Sequence, residues 1–501
     1  MKKIFALLLI IPLMSFCNKP EPDPEPTPDP EDKAAIVINT QGDVVVDYAG
    51  GTGTISFTSN RDWTTTVSED WLTVSPASGK ASKDPITVTV TCETNNTTST
   101  RDTYVVIVAE NEKKPVRIFQ GVNPYAGASQ ELKSGASLLA TNPNVEKFLN
   151  EVEYPDKDWS YTKVLDYYGG FNGKTYNEAG QEDPNGKMFT WGYQPDSDKP
   201  MSYSIRWTES DLDGDNDMVI LLEDSLGWKS ETAISSGSLY VNITNLVPND
   251  SYTYKVSSEG GKVITQGNFT TTGSLHQVFF KSGCRNARDL GGWKTVDGKT
   301  VKYRKIYRGG RMQSETVSNA GKKEILAEGI GGQLDLRGKS DVLTKPCIEG
   351  MEFCAPVIEQ GGKSMLVNDA KKTKQCFEFV VNCLRNDKPV YFHCSLGRDR
   401  TGTFDILLLG LLGVREGDIG KAYEVTYFAP VGYSVSSSES GSNPTPIFKN
   451  TRCTWVYSDV VPYFWSLSTD GTFADGVEKY LLTVAGVSQK DIDDFRSMML
   501  Y

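Results

Sequence analysis

The sequence predicts a multidomain protein in which β-sandwich modules precede an α/β domain. The chain has 501 residues, which is too long for one domain of ~100–200 residues. Short strand-like runs separated by Gly, Asn and Ser fill much of its first half, a pattern typical of β-sandwiches. From residue 275 to residue 501, apolar strands alternate with amphipathic helices, which is typical of a largely parallel α/β sheet.

Charge and composition argue against several classes of function. The chain carries 52 Lys and Arg against 64 Asp and Glu, a net charge of −12, so nucleic-acid binding is not expected. Its only two histidines are His276 and His393, so a histidine-rich zinc site is not expected, and any Ser-His-Asp triad would need one of them. The nine cysteines form no C-x-x-C pair, which argues against zinc ribbons and thioredoxin-like chemistry.

Residues 1–17 predict an export signal. Two lysines precede the apolar run Ile4–Met14, which is too short to span a bilayer, and Cys17 follows closely. This arrangement resembles a bacterial lipoprotein signal, which implies lipidation at Cys17. Residues 18–33 are rich in Pro and acidic residues and favour an extended spacer. We therefore expect an exported protein that is anchored to the cell envelope by lipid alone, facing either the periplasm or the surface.

Residues 34–121 form the first predicted β-sandwich. They contain Trp63 and Trp71 in the stretch NRDWTTTVSEDWLTVSPASG, then Arg101, and end with VRIFQG. This segment resembles a BACON domain, an immunoglobulin-like module of Bacteroidota surface proteins, and the resemblance implies possible contact with glycans. We expect Trp63 and Trp71 to belong to the core rather than to stack on sugars.

A connecting segment and a second predicted β-sandwich follow. Residues 122–198 have no clear assignment, although the spacing of apolar residues predicts a helix over Val145–Val152. Residues 199–274 return to strand-like alternation, and LVPNDSYTYKV resembles a fibronectin type III module, with Tyr252 or Tyr254 as its corner tyrosine.

Alternating elements define the domain predicted over residues 275–501. A helix is predicted within Ser318–Ile330 and a strand over Gln333–Leu336. A second helix, Asp369–Arg385, precedes the apolar strand PVYFHC, the loop SLGRDR and the apolar helix TGTFDILLLGLLG. Strand–loop–helix repeats of this kind predict an α/β sheet that is largely parallel.

The loop HCSLGRDRTG carries the chemistry. Cys394 ends the strand, five residues follow, and Arg400 precedes the helix. Backbone N–H groups in such a loop form an anion-binding nest, and the helix N-terminus adds a positive dipole. Both favour the Cys394 thiolate, and the Arg400 fork suits two phosphate oxygens. Gly397 and Gly402 allow close backbone approach. The predicted phosphate-binding residues are Ser395, Leu396, Gly397, Arg398, Arg400 and Thr401.

The same loop resembles the C-x5-R signature of the protein tyrosine phosphatase superfamily. Three further motifs, RNARDLGG at 285–292, YRGG at 307–310 and DLR at 335–337, precede it in the order found in the bacterial, MptpB-type branch. The resemblance implies hydrolysis of phosphotyrosine and, in some members, of phosphoserine, phosphothreonine or phosphoinositides. The resemblance implies a reaction that requires neither a metal nor another cofactor.

The resemblance also implies roles for individual residues. Cys394 is the expected nucleophile, which forms a phosphocysteine, and Arg400 binds the phosphate. Asp399 helps to set the arginine and the substrate, and Thr401 assists departure of the thiolate. Asp335 matches the aspartate proposed as general acid; the alternative is that it orients Arg400 or caps a turn.

Further residues are expected to support the loop. Arg398 stands where the family has a lysine, which keeps the charge but changes the geometry. His393 is expected to hydrogen-bond and fix the loop rather than to act as the base for Cys394. The other expected supporting residues are Arg285, Asn286 and Asp289. For Asp289, a structural salt bridge is an equally good interpretation.

Three remaining features leave alternatives open. The acidic stretch 211–217 fails the EF-hand pattern, because its twelfth position is Leu222, and it predicts a hairpin loop. Cys347 and Cys354 are close enough in sequence for a disulfide, which export would permit. Residues 431–452 form either a lid over the site or a plain loop.

The leading hypothesis is an exported phosphatase that acts on a phosphorylated protein or a small phosphate ester. An alternative is a phosphoinositide or inositol-phosphate phosphatase that uses the same loop. A second alternative is a surface glycan-binding lipoprotein with an inactive phosphatase domain, which the intact Cys394, Asp399 and Arg400 argue against.

Overall fold

The computed structural model describes residues 33–151, 197–281, 283–431, 445–446 and 455–501. The chain divides into two compact units, Met1–Gly127 and Ala128–Tyr501. The predicted signal, its Cys17 and nearly all of the linker 18–33 lie outside the described residues, as does most of the predicted insertion 431–452. Within the described part of the chain, no helix is long and apolar enough to cross a membrane.

The first unit is built from two β-sheets that enclose one apolar core. Its strands are β1 Ile36–Ile38, β2 Val44–Val46, β3 Gly51–Ser59, β4 Trp63–Thr66, β5 Leu72–Ser75, β6 Ser78–Gly79, β7 Ser82–Cys92, β8 Arg101–Ala109 and β9 Glu112–Gln120. One sheet has the order β1-β3-β7-β5 and the other β2-β9-β8-β4-β6. Inward and outward residues alternate along β8 and β9, because successive side chains of a strand point to opposite faces.

The two tryptophans of this unit differ in burial. Trp63 is 3% exposed and packs edge-to-face on Phe57 with 4.9 Å between ring centroids, so the prediction that it belongs to the core is confirmed. Trp71 is only half-buried, and the guanidinium of Arg101 lies 4.3 Å from its ring centroid. Trp71 therefore lies at the edge of the core, under a cation–π contact.

The first part of the second unit is again β-rich. Its elements are β10 Gln130–Glu131, β11 Ser137–Leu139, α1 Pro143–Glu151, β12 Tyr203–Arg206, β13 Met218–Asp224, β14 Lys229–Ile234, β15 Tyr240–Ile243, β16 Ser251–Ser258 and β17 Val263–Thr272. They form a sheet of order β11-β17-β16-β13-β14 and a smaller one of order β10-β12-β15. The predicted helix near 145–152 is present as α1, which buries Val145, Phe148 and Leu149.

Tyr252 is the buried tyrosine of these sheets. Its hydroxyl accepts a hydrogen bond from the N–H of Val247 at 2.8 Å, and its ring stacks on Phe269 with 5.0 Å between centroids. Tyr254 packs against the same phenylalanine at 6.4 Å. Of the two predicted corner tyrosines, Tyr252 is therefore the one whose hydroxyl bonds the backbone a few residues upstream.

The remainder of the second unit surrounds a five-stranded sheet. Its strands are β18 Arg288–Asp289, β19 Ile306–Gly309, β20 Gly332–Asp335, β21 Glu352–Cys354 and β22 Val390–His393, in the order β18-β19-β22-β20-β21. Its helices are α2 Asn319–Ala327, α3 Gly362–Val367, α4 Ala370–Arg385, α5 Asp399–Leu411, α6 Glu416–Glu424, α7 Trp455–Leu467, α8 Phe473–Lys479 and α9 Gln489–Met499. The short strands Pro430–Val431 and Thr445–Pro446 pair with each other. All pairs in the sheet are parallel except β18 with β19.

Sequence pattern explains the burial of the two central helices. The predicted helix Asp369–Arg385 is present as α4, which buries one face that includes Cys376, Phe377 and Val380. Helix α5 buries every side chain from Thr401 to Leu411, so it runs through the core and places its N-terminus under the carboxyl end of β22.

The β-rich part and the five-stranded sheet share one compact unit. Arg304 forms ion pairs with Asp224 at 3.2 Å and with Glu328, and its guanidinium stacks 3.9 Å from the Trp228 ring centroid. The indole of Trp228 donates to the carbonyl of Ala327 at 2.8 Å. The predicted boundary at residues 274 and 275 thus lies inside this unit, and the predicted domain limits stay predictions.

Candidate active site

Three loops meet at the carboxyl ends of parallel strands. Gly309 ends β19, Asp335 ends β20 and His393 ends β22, and these three residues are aligned in register across the sheet. The segments after them therefore leave the sheet at one edge, where ligands bind in open α/β sheets. The N–H of Arg311 donates to the carbonyl of Ser395 at 3.2 Å, which joins the first of these segments to the Cys394 loop.

Cys394 lies at the bottom of this edge and is 3% exposed. Burial by itself would raise the pKa of its thiol. The charge of Arg400 and the influence of the neighbouring Thr401 outweigh burial, so the pKa of Cys394 lies below its ordinary value. The structure thus favours a thiolate at this position, which is the reactive form of cysteine.

The two loop arginines have different partners. Arg398 donates from Nε and Nη2 to the carboxylate of Asp399 at 2.9 and 3.0 Å. Arg400 donates from Nη1 to the carbonyl of Ile358 at 3.1 Å and forms no ion pair with a described carboxylate. The guanidinium of Arg400 therefore keeps its charge available for an anion, whereas that of Arg398 is engaged by its neighbour.

Gly397 has the backbone conformation that shapes the loop. Its φ is +70°, and a Cβ at this position would lie 2.4 Å from the carbonyl carbon of Gly309. Only glycine fits both conditions. The carbonyl of Gly397 accepts hydrogen bonds from Arg308 Nη2 and from Asn286 Nδ2.

Arg308 supports the loop from beneath. It is 1% exposed and pairs with Asp405 of α5, which is equally buried. Because it bonds both Asp405 and the carbonyl of Gly397, it connects β19, the loop and the helix that follows. Buried arginine with carboxylate and carbonyl acceptors fixes geometry through its rigid planar donors.

Asn286 contacts the loop directly. It donates to the carbonyls of Leu396 and Gly397, each at 3.1 Å, and its Oδ1 accepts from Arg288. Arg285 instead forms a bidentate pair with Asp198 at 3.0 and 2.6 Å. Of these two predicted supporting residues, Asn286 therefore belongs to the hydrogen-bond network of the Cys394 loop. Arg285 instead anchors the segment in which Asn286 lies.

Asp289 lies away from the thiol. Its carboxylate contacts His276 Nδ1 at 3.0 Å and accepts from the N–H of Gly291 at 2.8 Å and of Arg304 at 2.6 Å. These contacts correspond to a structural role. The other ring nitrogen of His276, Nε2, lies 3.0 Å from the carbonyl oxygen of Asn245. Both ring nitrogens of His276 therefore have buried partners.

The contacts of His393 determine its tautomer. Gln333 donates from Nε2 to the carbonyl of Met312 and accepts at Oε1 from the N–H of Cys347, both at 2.7 Å, so the orientation of its amide is fixed. Nε2 of His393 therefore accepts from Gln333 at 2.9 Å, and its Nδ1–H donates to the carbonyl of Cys394. Burial lowers the pKa of His393 to about 4, so the ring is neutral at pH 7.

Asp335 is enclosed within the loop that follows β20. It is fully buried and accepts from Arg337 Nε and Nη2, each at 2.9 Å, and from the N–H of Leu343 at 2.9 Å. Burial alone would raise the pKa of Asp335, yet His393 first, and then the Arg337 guanidinium and the N–H of Leu343, hold it below its usual range. A carboxylate held in this way resists protonation, so the geometry favours the turn-bracing interpretation of Asp335.

Several contacts at this edge were not identified from the sequence. They involve Arg308, Asp405, Gln333 and Asp341, whose carboxylate accepts from Ser395 Oγ at 2.5 Å. Arg308 lies in the quoted YRGG motif, which was the available signal. The other three carry no pattern of their own, because their partners are distant in sequence.

The cysteines and acidic residues that the structure describes offer no metal site or disulfide. All seven described cysteines are free thiols, so Cys347 and Cys354 form no disulfide here. Burial raises the pKa of each of these two thiols to about 11, in contrast to Cys394. Among the residues that the structure describes, no three His, Cys, Asp or Glu side chains are grouped to hold a metal ion.

Comparisons with known families agree with this geometry. Residues 281–501 match the profile described as tyrosine phosphatase family. Residues 61–121 match the BACON domain, described as "Putative binding domain, N-terminal". The chain thus contains a tyrosine phosphatase family domain and a BACON domain, as the sequence predicted.

A curated relative agrees with the first of these matches. A protein of Cupriavidus necator named "Putative tyrosine-protein phosphatase" is 27% identical over 163 residues, which cover 28% of this chain and 59% of the relative. The chain therefore spans somewhat more than half of that relative's length. The family match and this relative together support a phosphatase enzyme.

Similarity to solved structures is low. A Bacteroides ovatus GH5 xyloglucanase in complex with a heptasaccharide is 18% identical, covers 22% of this chain and 27% of its own, and has a TM-score of 0.17. A protein of Bacteroides thetaiotaomicron solved by NMR is 17% identical. The match covers 19% of this chain and 94% of that protein, with a TM-score of 0.15. At these TM-scores the likeness supports no conclusion about fold or function.

Proposed function

We propose that this protein is an exported phosphatase that hydrolyses phosphate monoesters of the phosphotyrosine type through a cysteinyl-phosphate. The observation that carries the proposal is the buried, low-pKa thiol of Cys394 at the N-terminus of α5, beside Arg400, which has no carboxylate partner among the described residues. Nucleophile, anion nest and cation are the parts that this chemistry needs.

The proposed reaction has two steps. The Cys394 thiolate attacks phosphorus, an S–P bond forms, and the bond from phosphorus to the leaving oxygen breaks. Arg400 and the backbone N–H groups of residues 395–400 hold the three other oxygens. Water then attacks phosphorus, the S–P bond breaks, phosphate leaves and the thiolate returns. Thr401, which contributes to the lowered pKa of the thiol, stabilises the departing thiolate.

Supporting roles follow from the contacts. Asn286 and Arg308 hold the carbonyls of the loop so that its N–H groups face the anion. His393 donates to the Cys394 carbonyl and is neutral, so it orients the loop and does not act as the base. Asp399 holds Arg398 beside the phosphate oxygens.

The test uses the full-length chain purified in reductant, with p-nitrophenyl phosphate as substrate and EDTA present. We expect turnover that vanadate inhibits and that Cys394→Ser lowers by at least about 1,000-fold. Cys92→Ser is the matched control, because Cys92 is a buried free thiol of the other compact unit. Equal turnover in Cys394→Ser and wild type would refute the mechanism, and turnover lost on EDTA treatment would point to a metal.

Placement of the enzyme is a separate proposal. The signal-like residues 1–17 support export with a lipid on Cys17, and the BACON match supports a binding role, for which we propose glycans. Incorporation of labelled palmitate that is lost in Cys17→Ser would establish the anchor. Absence of binding of the full chain to an array of mucin and plant glycans would exclude the glycan role.

A second candidate substrate class is a multiply charged phosphate ester such as an inositol phosphate. Arg311 favours it, because its backbone bonds the Cys394 loop while its buried Nε has no hydrogen-bond partner among the described residues. We expect Arg311→Gln to raise KM for an inositol polyphosphate roughly tenfold, as expected for loss of a charged contact, and to leave KM for p-nitrophenyl phosphate unchanged. Equal changes for both substrates would exclude this class.

A further inference from the structure

One carboxylate is exposed directly beside the nucleophile's loop. Asp341 lies in the segment after β20, and its Oδ2 accepts from the hydroxyl of Ser395 at 2.5 Å. Ser395 is the residue that follows Cys394 in the chain. Asp341 is therefore positioned beside the Cys394 loop, with its side chain exposed to solvent.

The segment that carries Asp341 is held at both ends. Asp335 accepts from the N–H of Arg337 at its start and of Leu343 at its end. Glu359 accepts from the N–H of Lys339 at 2.9 Å. These contacts present Asp341 at a defined position while leaving its side chain exposed.

A turn brings Asp341 to its place within that segment. The N–H groups of Asp341 and Val342 both donate to the carbonyl of Gly338, at 3.1 and 2.9 Å. The turn projects Asp341 away from the buried Asp335 and toward the Cys394 loop. The enclosed aspartate thus serves to position the exposed one.

The other carboxylates near the loop are already engaged. Asp335 is buried in a bidentate contact with Arg337, and Asp405 is buried against Arg308. Asp399 accepts from two nitrogens of Arg398. Only Asp341, among these four, has a neutral hydroxyl as its partner, and a hydroxyl can rotate away at little cost when substrate binds.

We propose that Asp341 is the general acid of the phosphoryl transfer, an assignment that rests on the proposed function. In the first step the electron pair of the breaking P–O bond goes to the leaving oxygen, which takes the proton of the Asp341 carboxyl. In the second step the Asp341 carboxylate removes a proton from the attacking water. The carboxyl group is thereby restored as the S–P bond breaks and the Cys394 thiolate returns.

The test compares leaving groups in the full-length chain. Asp341→Asn keeps the shape and the hydrogen bond to Ser395 but has no proton to transfer. We expect kcat on phenyl phosphate, whose leaving group is basic, to fall roughly 100-fold or more, the usual contribution of general acid catalysis. On an aryl phosphate with an acidic leaving group, such as difluoromethylumbelliferyl phosphate, kcat should change by less than about threefold, because that oxygen leaves without a proton.

Controls separate this inference from the proposed function. Asp387→Asn is the matched surface variant, since Asp387 is an exposed aspartate with φ of +51°, a conformation that Asn tolerates. If Cys394→Ser retains activity, the proposed function fails and Asp341 is not at issue. If Cys394→Ser is inactive and Asp341→Asn lowers kcat equally on both substrates, or on neither, the assignment of Asp341 is wrong. A leaving-group-selective loss in Asp399→Asn instead would transfer the role to Asp399.

Discussion

Arg304 and Arg308 lie four residues apart and have similar buried carboxylate partners, but their neighbourhoods differ. Arg304 precedes β19 and bonds Asp224 of the β-rich part and Glu328 at the end of α2. Arg308 lies within β19 and bonds Asp405 of α5 and the carbonyl of Gly397. The first arginine connects two parts of a folded unit, and the second connects a strand to the loop that carries the candidate nucleophile.

The difference shows that burial and charge do not by themselves assign a role to an arginine. Removing either side chain leaves a buried carboxylate without its charged partner, which lowers the unfolding free energy in both cases. Of the two, only Arg308 also bonds an atom of the predicted phosphate-binding loop, so only its loss should change the geometry proposed to stabilise the transition state. Stability and turnover, measured on the same variants, separate the two roles.

Arg308→Met should have the largest effect. We expect a loss of roughly 3–5 kcal/mol in unfolding free energy, because Asp405 remains buried without a partner. The folded fraction should also lose at least about tenfold in kcat, since the Gly397 carbonyl loses a donor. Urea unfolding and active-site titration of the same sample measure both. If kcat per folded molecule of Arg308→Met is unchanged, Arg308 supports only the fold, as Arg304 does.

Arg304→Met should have a comparable effect on stability alone. We expect a loss of roughly 3–5 kcal/mol in unfolding free energy, because Asp224 and Glu328 are left unpaired and the stack on Trp228 is lost. The kcat of the folded fraction should stay within about twofold of wild type, because no contact to the loop is removed. A tenfold fall in kcat would show that the interface acts on the site.

Asn286→Ala should have an intermediate effect on both quantities. Two loop carbonyls lose a buried donor, so we expect a loss of about 1–3 kcal/mol in stability and about tenfold in kcat with little change in KM. Steady-state kinetics and thermal unfolding test this. Asn382→Ala, on α4, is the control. A rise in KM without a fall in kcat would instead place Asn286 in substrate binding.

Thr401→Val should have the smallest effect on kcat/KM, and only at low pH. Because Thr401 lowers the pKa of Cys394, its loss raises that pKa and reduces the thiolate fraction below it. The acidic limb of the kcat/KM profile should move to higher pH by about one unit, equivalent to ~1.4 kcal/mol, and activity should recover above it. Thr483→Val, a surface variant, serves as control. A uniform loss at every pH would contradict the pKa role.

Much of the site was predictable because it is contiguous. Cys394, Gly397 and Arg400 occur within one loop between a strand and a helix, and local backbone chemistry requires them there. Trp63 as a core residue, the buried face of α4 and the helix near 145–152 also followed from apolar patterns. The spacing of apolar residues along the chain indicates which side chains are buried, even when the element that covers them is not known.

The carboxylates were less predictable. Asp335 matched a family motif for a general acid, yet Arg337 two residues later engages it, and no pattern reveals that both are enclosed. Asp341 and Asp405 lie 54 and 97 residues from the atoms that they contact, Ser395 Oγ and Arg308 Nη1. Pairings over such separations depend on how the strands are ordered, which single-sequence patterns do not contain.

By itself, the sequence predicted the candidate nucleophile, its loop and the phosphatase family domain, because those residues are neighbours along the chain. The tertiary structure alone decided which groups surround them. Strand order β18-β19-β22-β20-β21 brings the ends of β19, β20 and β22 to one edge, and so places Arg308, Asp341 and His393 around a single loop. Sheet order is set by packing of the whole unit, in which the β-rich part takes part through Arg304.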